Sequence, residues 1–334
     1  MEAEPLLEGD TRALARAISA IERRQAGTGQ LIQELAARSD GAAGPVTQIV
    51  GITGPPGSGK STLADGLTTL WRGQGRRVAV LAVDPNSPFT GGAILGDRVR
   101  MQRHALDQGV FIRSMGARGH LGGVSLATRG AARLFCALGW EMVLVETVGV
   151  GQSELEICEV ADSVVVVTTP AAGDGVQVIK AGITEIADLF AVNKSDLPGA
   201  DRVARELRDL VRNQRQEQAW RAPVIPTVAQ LGIDGVRQLA EGLDQHHQHL
   251  LTSGVQDDRI RRRVRDEVVE LVGAQAADFA RRLLQEPGSD LLRGQLGVAD
   301  PDQLAALVLR RLAEQGSKME VADRGPAELE RRSD

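Results

Sequence analysis

Two hydrophobic periods alternate along the chain, and the places where one gives way to the other lay out its architecture. From Leu6 to Ser39 apolar residues recur every three or four positions: "TRALARAISAIERR" sets Leu14, Ala17, Ile18 and Ile21 on one stripe, and "LIQELAAR" resumes it after the break "AGTG". That spacing predicts amphipathic helices. After the polar linker "SDGAAGP", from Val46 to about Leu250, the pattern becomes short apolar runs divided by helical or glycine-rich stretches. The runs "QIVGIT", "RVAVLAV", "GVFIRS", "EMVLVET", "DSVVVVTT", "DLFAVNK" and "APVIPTV" predict strands. Strands this continuously apolar are buried on both faces, and their alternation with helices predicts an α/β fold with a mostly parallel sheet flanked by helices. Beyond Asp257 a charged helical period returns, and "DRIRRRVRDEVVELVGAQAADFARRLL" aligns Ile260, Val264, Val268, Leu271 and Val272. This stripe predicts an arm outside the sheet that packs on a second chain or folds back on its own core. The expected division is a helical N-terminal extension over 1–44, an α/β core over 45–252 and a helical C-terminal arm and tail over 253–334.

Composition narrows the function classes. A 334-residue chain with 42% hydrophobic residues has ample length for a packed core, and a net charge of −5 leaves no electrostatic footprint for nucleic acid or an anionic membrane surface. The absence of tyrosine and an aromatic content of 2% remove stacking platforms for single strands. Cys136 and Cys158 have no CxxC spacing, so two reduced thiols are expected. The start "MEAEPLLEGD" lacks a basic segment followed by an apolar one, and no 18-residue apolar span occurs. A soluble, cytoplasmic protein is expected. The run "QHHQH" reads as the solvated end of a helix, because no cysteine or carboxylate cluster accompanies it as a metal site would require.

The chemistry is concentrated in two strings. "GPPGSGKST", comprising Gly54, Pro55, Pro56, Gly57, Ser58, Gly59, Lys60, Ser61 and Thr62, contains GxxxxGKS between a predicted strand and a predicted helix. In such a turn successive backbone N–H groups face a phosphate chain at a helix N-terminus, the lysine reaches the terminal phosphates, and the serine hydroxyl is offered to Mg²⁺. Far downstream "NKSD" ends a predicted strand. The carboxylate of Asp196 can accept from N1–H and the exocyclic amine of guanine, a donor pair adenine lacks on that edge, while Asn193 and Lys194 close the loop over the ring and brace the phosphate loop. Together the strings predict a GTP and GDP site.

Three carboxylates fall on the same side of the predicted sheet. "VLVETVGVGQSE" ends a strand with Glu146, with Gly149 placed to offer its N–H to a γ-phosphate; "VDPNSPFTGGAILGDRVRM" ends another with Asp84 and carries Asp97 in the loop beyond. Singly, each is also what a cap or a turn uses; as a set with Ser61 they suit Mg²⁺.

The strings "DPNSPFTGGAILGDRVRM", "FIRSMGARGHLGG", "VLVETVGVGQSE" and "VIKAGITEIADLFAVNKSD" resemble the MeaB/ArgK family of P-loop GTPases, over about Leu6 to Leu250. The resemblance implies a P-loop NTPase fold of the SIMIBI class. It implies a G-protein chaperone that docks on an adenosylcobalamin-dependent acyl-CoA mutase, gates cofactor loading from the cobalamin adenosyltransferase and protects or reactivates the mutase, and it implies a homodimer through the C-terminal arm. Adenosylcobalamin would then be met only through the partner. By position it gives Lys60 and Ser61 to phosphate and Mg²⁺, Asp84 and Asp97 to a first switch, and Glu146 with Gly149 to a second. A third switch signalling to the mutase falls on "AAGDGVQVIKAG", with Asp174, Gln177 and Lys180 as its polar members. The base-contacting loop that usually reads Ser-Ala is "TVA", with Val228 and Ala229; the guanine O6 contact there is normally a backbone N–H. No glutamine follows Gly149 directly, Gln152 lying three residues on, and weak intrinsic hydrolysis is expected. A nickel-inserting GTPase and a transport-linked kinase are the alternatives in related classes. The first would bring Cys or His ligands near the switches, the second a base for an acceptor hydroxyl, and neither is identifiable.

Overall fold

A computed structural model describes residues 2–39, 46–84, 101–116, 123–147, 157–170, 183–213, 219–285 and 301–323. All seven expected strands form: β1 (Gln48–Thr53), β2 (Val78–Asp84), β3 (Val110–Gly116), β4 (Met142–Thr147), β5 (Ser163–Thr168), β6 (Leu189–Val192) and β7 (Val224–Pro226). They make one parallel sheet in the order β3-β2-β4-β1-β5-β6-β7. The alternating side-chain directions of a strand divide the core into two layers. Val143 and Val145 of β4 join Val164 and Val166 of β5 in one, while Met142 and Leu144 join Val50 and Ile52 of β1 in the other.

The second layer is closed by α4 (Lys60–Gly73), with Leu63, Leu67 and Trp71 facing in, and by α8 (Ile233–Ser253), with Val236, Leu239 and Leu243. The first is closed by α5 (Gly123–Ala137), by α7 (Ala200–Asn213) and by the N-terminal helices α1 (Glu4–Leu7), α2 (Thr11–Glu22) and α3 (Thr28–Ser39). Between β5 and β6 lies the short α6 (Ile183–Ile186). Asp10 caps α2 by accepting from the N–H groups of Arg12 and Ala13, and Leu14, Ala17 and Ile18 of the expected stripe are buried. A methyl group on Gly130 of α5 would stand 2.6 Å from Ile21 Cγ2, so glycine lets the two helices touch. The N-terminal helices are therefore part of the wall of the sheet.

The chain divides into a unit over Met1–Arg263 and a second over Val264–Asp334. The long α9 (Val255–Gln285) runs across that boundary, and the second unit also holds α10 (Pro301–Asp323). In α9, Ile260, Val264, Val268 and Val272 are each between 44% and 59% exposed.

Candidate functional site

At the C-terminal end of β1 the chain turns through Gly54, Gly57 and Gly59, all at positive φ, into α4. Gly59 stands at φ 93°, where a Cβ would run into Asn193 Nδ2, so only glycine lets the phosphate loop lie this close to the base loop. Lys60 opens α4 and is buried, its Nζ donating to Gly54 O at 2.8 Å and Pro55 O at 3.1 Å. Its ammonium thus lies within the loop, where incoming phosphate oxygens would compete with those carbonyls.

Strand parity delivers Glu146. Residues 142, 144 and 146 of β4 point to the α4 layer, Glu146 stands in register with Ile52 of β1, and its Oε1 accepts from Ser61 Oγ at 2.6 Å. A hydroxyl and a nearly buried carboxylate at a helix N-terminus form a hard-oxygen pair of the kind Mg²⁺ takes, directly or through water. The next residue, Thr147, donates to Thr53 Oγ1 at 3.1 Å and joins the ends of β4 and β1. Asp84 ends β2, adjacent to β4, but its side chain lies outside the described residues. Asp97, Gly149, Asp174, Gln177 and Lys180 lie outside them altogether.

The base loop is tied to the phosphate loop through Asn193. Its Nδ2 donates to Ser58 O at 2.8 Å, its N–H to Thr168 O at 2.8 Å, and its Oδ1 accepts from Ala229 N–H at 3.1 Å and Thr227 Oγ1 at 3.3 Å. Lys194 sits in the left-handed region at φ 56°, unusual for a side-chain-bearing residue, and its Nζ reaches Gly57 O at 3.0 Å. Asp196 is exposed. Phosphate loop, Ser61, Glu146, Asn193, Lys194 and the 227–229 loop thus converge on one end of the sheet, where parallel α/β sheets take ligands. The Val228 and Ala229 N–H groups are both occupied, by Gly235 O at 3.2 Å and by Asn193 Oδ1. A contact from Ala229 to guanine O6 requires that amide to leave Asn193.

With this arrangement in place, the family described as "Methylmalonyl Co-A mutase-associated GTPase MeaB" matches residues 14–283. This chain belongs to the MeaB family. A protein of Pyrococcus horikoshii named as a GTPase is 45% identical, over 92% of this chain and 96% of its own length. The mitochondrial methylmalonic aciduria type A homolog of Mus musculus is 36% identical over 75% of this chain and 63% of its own. Among solved structures, a LAO/AO transport system kinase superimposes with a TM-score of 0.60 at 26% identity, covering 93% of this chain and 96% of that one. The MeaB-family protein is accordingly a P-loop GTPase, which binds guanine nucleotide and hydrolyses GTP.

The histidine run has a different place from the solvated helix end expected. His246 is 0% exposed: Ser163 Oγ lies 2.8 Å from its Nδ1, and Asp188 Oδ1 lies 3.3 Å from its Nε2. Asp188 lies within ion-pair distance of Nε2 but makes no hydrogen bond to it, so the one hydrogen bond of the ring is the one with Ser163. Trp220 tilts against His246 at 4.8 Å, stacks on His249 at 5.3 Å and donates to Asp188 O at 2.8 Å. Helical periodicity alone assigns the run to a face without saying which face. Burial pushes the His246 imidazole down to about 4, against the opposing pull of Asp188. Ser163, His246 and Asp188 lie together without forming a hydrogen-bonded triad: no hydrogen bond joins Nε2 to Asp188, the serine is inaccessible, and Asp188 is held by Arg259 Nη2 at 2.8 Å. The trio is a packing device at the N-terminal edge of the sheet, remote in the topology from the nucleotide loops. Among the described residues no group of three or more His, Cys, Asp or Glu side chains gathers as a metal centre, and no helix is long and apolar enough to cross a membrane.

Proposed function

We propose that this GTPase is the G-protein chaperone of an adenosylcobalamin-dependent acyl-CoA mutase of the methylmalonyl-CoA mutase type, acting in the cytoplasm. In this reading it gates delivery of the cofactor from a cobalamin adenosyltransferase and protects or reactivates the mutase. The observation that carries it is the family match over 14–283, which spans both nucleotide loops and most of α9.

In the site, Asp196 selects guanine, Asn193 and Lys194 hold the base loop against the phosphate loop, and Lys60 leaves the carbonyls of Gly54 and Pro55 for the β- and γ-phosphates. Ser61 and Glu146 would hold Mg²⁺, with Asp84 and Asp97 as further members, and the ion would there supply neutralisation of charge on the phosphate oxygens. Gly149 senses the γ-phosphate. Asp174, Gln177 and Lys180 carry the nucleotide state to the mutase. Adenosylcobalamin is met only on the partner.

A homodimer is supported by the stripe along α9, where Ile260, Val264, Val268 and Val272 place apolar surface in solvent at helical spacing. Slow hydrolysis without a partner is expected, since no glutamine directly follows Gly149 in the sequence. Gel filtration of the full chain with purified methylmalonyl-CoA mutase, loaded with GDP or a non-hydrolysable GTP analogue, tests the partnership. Co-elution whose extent depends on the nucleotide is expected. Separate elution in both states, with the mutase active, would remove the chaperone reading.

A further inference from the structure

The loop that carries Val228 and Ala229 is held from behind by the start of α8. Its 3₁₀ turn, Ala229–Leu231, closes on itself, with Leu231 N–H donating to Val228 O at 2.9 Å and Gly232 N–H to Ala229 O at 3.1 Å. Against this turn α8 sets Gly235. The Val228 N–H donates to Gly235 O at 3.2 Å, and a Cβ on Gly235 would run into Val228 O and stand 2.7 Å from Val228 C and 3.3 Å from Leu231 Cβ. Backbone therefore meets backbone, a contact that no side-chain rotation relieves. The next residue, Val236, is buried and rests on the phosphate helix, where a Cβ on Gly66 of α4 would come within 3.1 Å of its Cγ1 and 3.5 Å of Gly232 O. Two turns further along α8, a Cβ on Gly242 would stand 2.8 Å from Ile225 of β7 and 3.0 Å from Leu189 of β6, so the helix has no room to back away from the loop.

These contacts make the two amides of the loop unequal. The Val228 N–H is spent on α8. The Ala229 N–H is held by Asn193 Oδ1, and that oxygen keeps the Thr227 hydroxyl at 3.3 Å when the amide is released. Asn193 can therefore give up Ala229 without leaving a buried acceptor unpaired. We propose that Gly235 is a positioning residue for guanine recognition: its missing side chain lets α8 fix Val228, so that the Ala229 N–H alone passes from Asn193 to guanine O6. This role rests on the Ala229 N–H being the donor to O6. Guanine selection is then divided between Asp196, for N1–H and the exocyclic amine, and the loop held by Gly235, for the carbonyl that adenine replaces with an amino group.

GDP, inosine diphosphate and 6-thioguanosine diphosphate separate the two contacts. The second lacks only the exocyclic amine, and the third replaces only O6, with a larger and weaker sulfur acceptor. Affinities of the full chain are measured by calorimetry, with thermal unfolding as the check that each variant folds. Gly235→Ala is expected to bring the preference for GDP over the thio analogue down about tenfold, the scale of one hydrogen bond lost from a desolvated site, and to leave the preference for GDP over inosine diphosphate within about twofold. Gly66→Ala suits a helix interior, keeps the fold and presses the same turn through Val236; it should lower the first preference about threefold, and Val236→Ala in the same chain should restore it. Both preferences unchanged in Gly66→Ala, and in Gly235→Ala if it folds, would make Gly235 a packing glycine only and overturn the proposal. A fall of both preferences together would mean a loop that is merely loosened, and would overturn it as well. A wild type that binds the thio analogue as tightly as GDP would remove the O6 contact itself, and the role of Gly235 with it, while the inosine comparison still reports on Asp196.

Discussion

In the proposed site, base selectivity is assigned to Asp196, a single exposed side chain whose two carboxylate oxygens match two donors on guanine that adenine does not present. Asp196→Asn replaces one acceptor with a donor facing a donor and should weaken GTP and GDP by roughly 2 to 4 kcal/mol, the scale of a charged hydrogen bond lost in a desolvated site. Calorimetry of wild type and variant with GDP and ADP measures it; equal wild-type affinity for the two nucleotides would remove the assignment. His246 carries a different kind of prediction. Its folded-state value near 4 lies below the 6.5 of the free side chain, chiefly through burial, with Arg259 and His249 adding to the depression and Asp188 and Asp162 opposing it. Between those values the unfolded chain binds the extra proton, so this contribution to stability is complete above about pH 6.5 and is lost as the pH falls toward 4. Urea unfolding at pH 7.5 and pH 5 should show wild type losing more stability than His246→Gln across that interval. Parallel losses would mean that the imidazole is not held neutral by burial.

At the scale of elements, the strands were legible because β4 and β5 are unbroken apolar runs and their flanking turns are rich in glycine and proline. The phosphate loop was legible for the same reason, its glycines marking a backbone that only glycine adopts. The ties between distant elements were not legible. Asp162 and Asp188 read as polar residues ahead of strands, and nothing local indicates that Arg259 and Arg263, on a helix expected either to pack on a second chain or to fold back on its own core, pair with them. Pairing at such sequence separation leaves no periodic trace; the only hint is two arginines four residues apart on one helix face. For α9 the exposed stripe makes a prediction of its own. Val264→Asp with Val268→Asp adds charge to two positions already 51% and 53% exposed, so the fold should hold while a dimer that buries them should not. Light scattering of wild type and double variant decides it: two dimers, or two monomers, would exclude this stripe as the interface.

Over the whole molecule, one parallel sheet carries phosphate loop, base loop and Glu146 at its C-terminal end, and takes the root of the arm at its N-terminal end through Asp162 and Asp188. The central strands β4, β5 and β6 are buried along their whole length and paired on both sides. This organisation suits a protein whose hydrolysis is read by, and responds to, another protein. The most direct measurement of that claim is GTP turnover by the full chain, alone and with methylmalonyl-CoA mutase, for wild type and Lys180→Ala. Slow turnover alone is expected for both, with clear stimulation of the wild type by the mutase and a reduced ratio of stimulated to basal rate in Lys180→Ala. Turnover that the mutase leaves unchanged in the wild type would contradict that claim.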